Sequence, residues 1–293
     1  MQKTDKRLLW DSILEKKEFT EFDIETFKNG GANTRITQYD YKTHGLLFLK
    51  NILYQTASVF QVDQLALLRQ IQNRHVGGGI SIEYQGIDLD LDYLLALEEV
   101  LFLKTTLELV CSIMEIGAGY GRTCHSILSL FPNITEYRIL DLPQMLDLSR
   151  AYLKKVSTPE NYKKIKFISV GSEEYKEPVD LIINIDSMQE MDEATVLSYL
   201  EDINNHGTFF YSNNTVGKFD PVLCGWVESE GSRLAMQSGL LREKINIFCP
   251  NELAKAHKNF LKKFAPSPHW SAVHHSTVSP WSHYYQVLFK KNA

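Results

Sequence analysis

Residues 113–121 read Ile-Met-Glu-Ile-Gly-Ala-Gly-Tyr-Gly. Glycine inside regular structure carries an entropic penalty, so three at alternate positions behind an apolar run mark a place where the main chain must turn tightly or admit a ligand. The run before them, Leu109–Ile116, has strand character, and the stretch after them, Gly121–Phe131, has helical spacing. Strand, glycine-rich turn, helix is the phosphate- and nucleoside-binding arrangement of α/β proteins.

The same rhythm repeats downstream. Short apolar runs at Glu136–Asp141, Ile165–Val170, Val179–Ile185 and Gly207–Ser212 read as strands, with helical stretches at Leu142–Val156 and Asp192–Asn204 between them. Alternation of this kind predicts βαβ units and a parallel sheet covered on both faces. Trp270–Val273 and His283–Lys290 add two strands, and Ser229–Leu241 and Asn251–Phe264 read as helices. The expected architecture is α/β: a doubly wound, mostly parallel, seven-stranded Rossmann-like sheet. Residues 1–105 read as mainly helical, from a first helix bearing Leu8, Leu9, Ile13 and Leu14, through apolar spacing over His44–Arg74, to a strong helix over Asp90–Leu107. This predicts a helical N-terminal cap or dimerisation region over 1–105 and a cofactor-binding domain over 106–293.

Asp141 ends the second of these strands, 20 residues beyond Gly121. A carboxylate there can accept from both ribose hydroxyls of a bound nucleoside. The glycines follow G-x-G-x-G rather than the G-x-G-x-x-G that seats a pyrophosphate on a helix N-terminus. Glu115, just ahead of them, disfavours a pyrophosphate and suits a ligand that carries positive charge.

Glu-Ile-Gly-Ala-Gly-Tyr-Gly-Arg followed by Tyr-Arg-Ile-Leu-Asp-Leu-Pro resembles the first two motifs of class I S-adenosylmethionine-dependent methyltransferases. That resemblance covers about 109–215. It implies S-adenosyl-L-methionine as methyl donor, with S-adenosyl-L-homocysteine as product, bound by Glu115, Gly117, Ala118, Gly119, Gly121, Asp141 and Leu142. Gly171 and Ser172 lie where that superfamily places residues near the adenine, and Asp186, in the fourth-strand motif that opens onto the methyl acceptor, is counted among the cofactor contacts as well. The stretch Asn184-Ile185-Asp186-Ser187-Met188-Gln189-Glu190-Met191 is similar to a bacterial sugar O-methyltransferase family, which implies transfer to a hydroxyl of a sugar or glycan precursor.

A sugar hydroxyl is a weak acid, so such a transfer calls for a general base. The candidates are Asp186, Glu190 and His275, with His269, His274 and His283 as further late histidines. A divalent metal could serve instead, but no convincing ligand set stands out. Asn213-Asn214 reads either as a hydrogen-bonding contact to an acceptor hydroxyl or as a turn. Arg35 and Arg74 read as surface residues rather than as anion ligands. The Gly77-Gly78-Gly79 loop is a candidate to approach the ligand. Other readings remain: another small-molecule acceptor, a non-catalytic S-adenosylmethionine-binding protein, or an NAD(P)-dependent oxidoreductase, the last disfavoured by the glycine spacing.

Composition narrows the partners. A net charge of −5 with no basic stripe argues against nucleic acid. No apolar stretch approaches the length of a membrane span. Cys111, Cys124, Cys224 and Cys249 form no CxxC pair, and the charged N-terminus lacks the apolar core of a signal peptide, so a cytoplasmic protein with free thiols is expected. The expected partners are a small-molecule or glycan acceptor and a second copy of the chain, through the N-terminal helices.

Overall fold

The computed structural model describes residues 45–220, 222–224 and 235–292. The expected first helix, the polar stretch Asp23–Tyr41 and Arg35 lie outside them. Contacts divide the chain after Gln55, and the fold described below is that of Thr56 onward. A helix α1 (Gly45–Ser58) is followed by α2 (Val62–Ala66) and a 3-10 turn at Leu67–Gln70. The apolar periodicity over His44–Arg74 is thus cut into pieces rather than continuous. Next comes a hairpin, β1 (Ser81–Tyr84) and β2 (Ile87–Asp90), within a region that the sequence reads as mainly helical and between its two helical stretches. Its two turn residues, Gln85 and Gly86, both have positive φ, 52° and 70°. Two successive left-handed residues match the right-handed twist of a two-residue hairpin.

Asp90 then caps α3 (Leu91–Leu107), its Oδ1 accepting from Tyr93 N at 2.9 Å. A carboxylate at this position satisfies a helix-terminal N–H and suits the positive end of the helix dipole. Arg74 is paired rather than free: it donates to Asp88 O and lies 3.8 Å from Asp90. It thereby ties the preceding loop to the hairpin.

From here the chain builds one sheet: β3 (Ser112–Ile116), α4 (Arg122–Leu130), β4 (Glu136–Asp141), α5 (Pro143–Val156), α6 (Pro159–Lys163), β5 (Ile165–Ser169), β6 (Val179–Ile185), α7 (Glu193–His206) and β7 (Gly207–Thr215). A short pair, β8 (Lys218–Phe219) and β9 (Lys244–Ile245), precedes α8 (Pro250–Phe264), β10 (Trp270–Thr277) and β11 (Tyr284–Lys291). The strand order is β10-β11-β7-β6-β3-β4-β5. The strands from β3 to β7 run parallel; β11 is antiparallel to both β7 and β10. This is the seven-stranded, mostly parallel Rossmann-like methyltransferase fold that the sequence implied.

The core explains the pattern. Along β3, Met114 and Ile116 enter one apolar cluster with Ile182, Phe210 and Phe260. Ile113 points the other way, into a cluster with Ile127, Tyr137, Leu153 and Tyr211. Side chains alternate across a strand, so a sheet covered on both faces needs apolar residues at every position. Glu115 breaks that rule. It lies on the same face as Ile113 and is 2% exposed.

Two expectations need correction. Ser229–Leu241 is not a helix through to its end: among its described residues only 235–237 are helical. Strands β7 and β10 are longer than expected, and β7 carries Asn213 and Asn214 inside the ladder, where Asn213 pairs with Gln286. The turn reading of that pair is therefore excluded. Among the described residues no helix is long and apolar enough to cross a membrane, and the four cysteines are unpaired.

Candidate functional site

Two adjoining cavities open at the carboxyl ends of the parallel strands, where open α/β sheets bind ligands. Gly117, Gly119, Ser187 and Glu190 line both. One cavity, of about 350 Å³, is walled by Glu115, Arg122, Asp186, Asn213, Trp281 and Tyr284 among others. The second, of about 500 Å³, is walled by Asp141, Leu142, Met145, Val170, Thr195 and Tyr199 among others. Both volumes are in the range of small-molecule sites.

The glycine loop is the partition between them. Gly117, Gly119 and Gly121 all have left-handed backbones, with φ of 73°, 58° and 96°. A Cβ on Gly117 would sit 2.2 Å from Ser187 Oγ, and one on Gly121 would sit 2.7 Å from Leu153 Cδ1. Gly119 differs. A Cβ there meets nothing within 4 Å, because it faces cavity space. The first and third glycines serve packing, and the middle one keeps the main chain open to a ligand.

Asp141 ends β4 and is 8% exposed. Its Oδ2 accepts from Gly119 N at 3.0 Å and its Oδ1 from Leu142 N at 2.8 Å. A carboxylate has about four acceptor positions, so both oxygens keep capacity for ligand hydroxyls. Beside it Leu142 is 56% and Val170 45% exposed. Two apolar side chains flank the same cavity, which suits a planar base. Gly171 and Ser172 line neither cavity. Gly171 turns the chain after β5 with φ 94°, and Ser172 caps the 3-10 turn Glu173–Lys176 by accepting from Glu174 N. The neighbour that does reach the cavity is Val170.

At the other end, Glu115 accepts from Tyr137 Oη at 2.7 Å. Burial pushes its carboxyl up to about 7. The native state therefore holds a proton that the unfolded chain releases near the ordinary value of 4.5. A raised acid stabilises fully below that value, and the contribution is lost as pH climbs through about 7. Stability of the protein should fall between pH 5 and 8 by up to about 3 kcal/mol through this group, at about 1.4 kcal/mol per unit. Urea midpoints of the wild type and Glu115→Gln, compared at both pH values, check this. A drop of the same size in the variant would assign it to other groups.

Arg122 opens α4 directly after the third glycine and reaches the buried Glu99 on α3 at 2.6 Å, with Arg122 itself partly buried. Thr123 Oγ1 also donates to Glu99. This ion pair locks the helix that follows the glycine loop to α3. Arg122 also donates to Asp92 O, and Tyr120 Oη donates to the Asp92 carboxylate.

Asp186 follows β6 with a φ of 61°, a conformation a non-glycine residue rarely adopts. Such strain costs on the order of 1–3 kcal/mol and concentrates at functional positions. Its N–H donates to Asn213 O at 2.9 Å, and its Oδ1 accepts from Tyr284 Oη at 2.6 Å and from Gln189 Nε2. Burial raises its carboxyl above the usual range, and burial followed by the charge of Asp186 does the same for Glu190. Asp186 and Glu190 both line the smaller cavity.

The late histidines do not line it. His275 lies exposed on edge strand β10, its Nδ1 2.6 Å from Tyr285 Oη. His274 stacks on Phe102 at 4.0 Å, and His283 packs against Phe219 and Tyr284. The Gly77-Gly78-Gly79 loop lines neither cavity. Among the described residues no group of three or more His, Cys, Asp or Glu side chains is placed to hold a metal. The residues not anticipated are Glu99, Asp92 and Tyr284. A glutamate in the middle of the apolar run Leu94–Leu103 was the available signal for the first of them.

No protein family and no curated relative matches the sequence. Among solved structures, the chain is similar to the mitomycin 7-O-methyltransferase MmcR at 12% identity and a TM-score of 0.43. It covers 68% of this chain but 57% of that one. It is similar to the methyltransferase domain of bacterial CtHen1 at 14% identity and a TM-score of 0.48, covering 67% and 96%. It is also similar to an O-methyltransferase family protein from Burkholderia thailandensis at 11% identity and a TM-score of 0.43, covering 69% and 58%. All three are described as methyltransferases. The fold itself rests on the strand order and the glycine loop of this chain.

Proposed function

We propose that this protein is an S-adenosylmethionine-dependent O-methyltransferase whose acceptor is a hydroxyl of a sugar or glycan precursor. One observation carries the reading: an open glycine loop flanked by two cavities, with a carboxylate at each end. Asp141, Leu142 and Val170 fit a nucleoside. At the Glu115 end, a bound sulfonium and ammonium would favour the ionised carboxylate that burial alone disfavours. S-adenosylmethionine brings an electrophilic methyl group, and what the chain must supply is placement and a base. Holding two reactants in register is worth up to roughly 7–11 kcal/mol of barrier. Gly119 lets the donor approach the main chain, and the walls formed by Trp281 and Tyr284 border the acceptor side. Asp186 takes the proton of the attacking hydroxyl, with Tyr284 and Gln189 orienting its carboxylate. Glu190 is the alternative base. The sugar assignment rests on the Asn184–Met191 resemblance and on a cavity rich in hydrogen-bonding groups. His275 keeps no part in it.

Calorimetry with S-adenosylhomocysteine and, separately, with NADH tests the cofactor. Binding of NADH alone would sink the reading. Asp141→Ala should weaken S-adenosylhomocysteine about 10- to 100-fold, the equivalent of roughly 1.5–3 kcal/mol for a hydrogen bond to a charged group. An unchanged affinity would remove Asp141 from the ribose role.

A further inference from the structure

The loop 278–283 between β10 and β11 is a partition. Val278 and Trp281 line the smaller of the two site cavities, and Tyr284, just after the loop, lines it as well. On the other side lies a third cavity of about 390 Å³, lined by Val278, Ser279, Pro280 and Ser282 together with Glu98 and His257. Close packing is what normally fixes an interior segment. With a cavity behind it, this loop depends on its hydrogen bonds.

Those bonds fall on either side of Trp281. After it, Ser282 Oγ donates to Ile247 O at 2.9 Å and Val216 N donates to His283 O at 2.9 Å. Before it, Ser279 N donates to Glu98 Oε1 on α3 at 3.1 Å. Pro280 has no N–H to offer. The bonds inside the turn are long, 3.4 Å from Val278 N to Tyr284 O and 3.2 Å from Tyr284 N to Trp281 O, against about 2.9–3.0 Å for a typical N–H···O bond. Trp281 therefore stands between two anchors, and Glu98 is one of them. The contacts continue to the carboxylate proposed as base, because Tyr284 Oη donates to Asp186 Oδ1 at 2.6 Å.

Helix α3 is the common mount. Glu99, next to Glu98, holds Arg122 at the start of the helix after the glycine loop. Phe102 stacks on His274 of β10 with ring centres 4.0 Å apart. Residues four apart share a helix face, so this stack keeps β10 on α3 when Glu98 is changed, and the part released is the loop. Burial pushes the Glu98 carboxyl up to about 7. Ionised or neutral, it keeps an oxygen that accepts from Ser279, as glutamine does.

We infer that Glu98 is a positioning residue: through Ser279 it sets where Trp281 and Tyr284 stand in the cavity wall, and so fixes the room left for the methyl acceptor. This deepens the O-methyltransferase reading and rests on it for the acceptor. A misplacement of about 1 Å can cost on the order of 10²-fold in rate, which is the scale on which such a latch matters.

The chain has four tryptophans, so labelling it with 5-fluorotryptophan gives a short ¹⁹F NMR spectrum, in which Trp281→Phe and Trp270→Phe identify the two resonances needed. Trp270 is buried, its Nε1 donating to Asn204 Oδ1 at 3.0 Å, and it reports on the sheet. In protein saturated with S-adenosylhomocysteine, Glu98→Leu should shift or broaden the Trp281 resonance and leave that of Trp270 in place. Glu98→Gln should restore the wild-type Trp281 resonance. Calorimetry should find the affinity of Glu98→Leu for S-adenosylhomocysteine within about threefold of the wild type. An unmoved Trp281 resonance in Glu98→Leu overturns the inference. So does the same displacement in Glu98→Gln, which would make charge rather than the Ser279 bond responsible. A Trp270 resonance that moves as well, or a lost affinity for S-adenosylhomocysteine, would make Glu98 a general structural residue and overturns it too. Failure of S-adenosylhomocysteine to bind the wild type would instead remove the methyltransferase reading, and the same spectra recorded without it would still decide what holds Trp281.

Discussion

Gly117→Ala should abolish S-adenosylhomocysteine binding, weakening it at least about 100-fold, and should lower the urea midpoint as well. The alanine Cβ would lie 2.2 Å from Ser187 Oγ and 2.5 Å from Ser187 Cβ. Ser187 cannot swing aside freely: its Oγ donates to Ile116 O at 3.1 Å and accepts from Asn184 Nδ2 at 2.6 Å. Moving it breaks a buried network that also reaches Asn214, whose Nδ2 donates to Asn184 Oδ1 at 2.8 Å. The left-handed backbone adds about 1–2 kcal/mol for any residue with a Cβ. Each buried group left unsatisfied adds about 1–3 kcal/mol. Together these are a large share of the roughly 5–15 kcal/mol that holds a domain folded. Gly86→Ala is the control. It has a similar φ of 70° with nothing within 4 Å, and it lines neither cavity. It should cost stability by the backbone term alone and leave affinity unchanged. Equal effects from the two substitutions would mean that backbone conformation, not the contact with Ser187, governs the loop.

Asp186→Asn should lower kcat on the order of 10²–10⁴-fold, the usual contribution of a positioned general base. The substitution is unusually clean here. Asparagine tolerates the left-handed conformation better than most residues, so the 61° φ of residue 186 survives. Its carbonyl can still accept from the Tyr284 hydroxyl. Only the capacity to take a proton disappears. Affinity for S-adenosylhomocysteine should stay within about threefold, and the KM for whichever hydroxyl acceptor is turned over should change far less than kcat. In the wild type, transfer should fall on the acid side, through a group titrating above the ordinary carboxylate range, because burial raises Asp186. A kcat unchanged in Asp186→Asn would move the base to Glu190.

The parts of the fold that were legible in the sequence are those whose pattern is local. Strands β4 and β6 match the apolar runs 136–141 and 179–185 to the residue, because a strand buried on both faces is a continuous apolar run bounded by polar residues. Hairpin β1–β2 escaped. Its strands are four residues each, and its turn is Gln-Gly rather than the Asn-Gly that announces a two-residue hairpin. The glycine loop, Glu115 and Asp141 were found by spacing, since the strand-turn-helix unit brings them together over a short stretch of chain. Glu99 and Tyr284 depend on partners 23 and 98 residues away. No periodicity encodes such a pairing. His275 shows the opposite error: the residue type suited the chemistry, but β10 is an edge strand and its exposed position follows from sheet order alone.

The inner position of β11, one strand in from the sheet edge, has a consequence for synthesis on the ribosome. This strand is the last element described, yet it lies between β7 and β10 rather than at the rim. Until it emerges, the nine-residue β7 has one edge without a strand to pair with, and an unpaired edge is a template for association with other chains. Asp186 likewise lacks the Tyr284 hydroxyl until 98 further residues are made, roughly 5–20 s at ordinary elongation rates of about 5–20 residues per second. The nascent chain thus passes through a period in which its glycine loop is complete while the Tyr284 side of the neighbouring cavity is not. Expression yield should accordingly be more sensitive to changes within β11 than to changes of equal burial within β3 or β4.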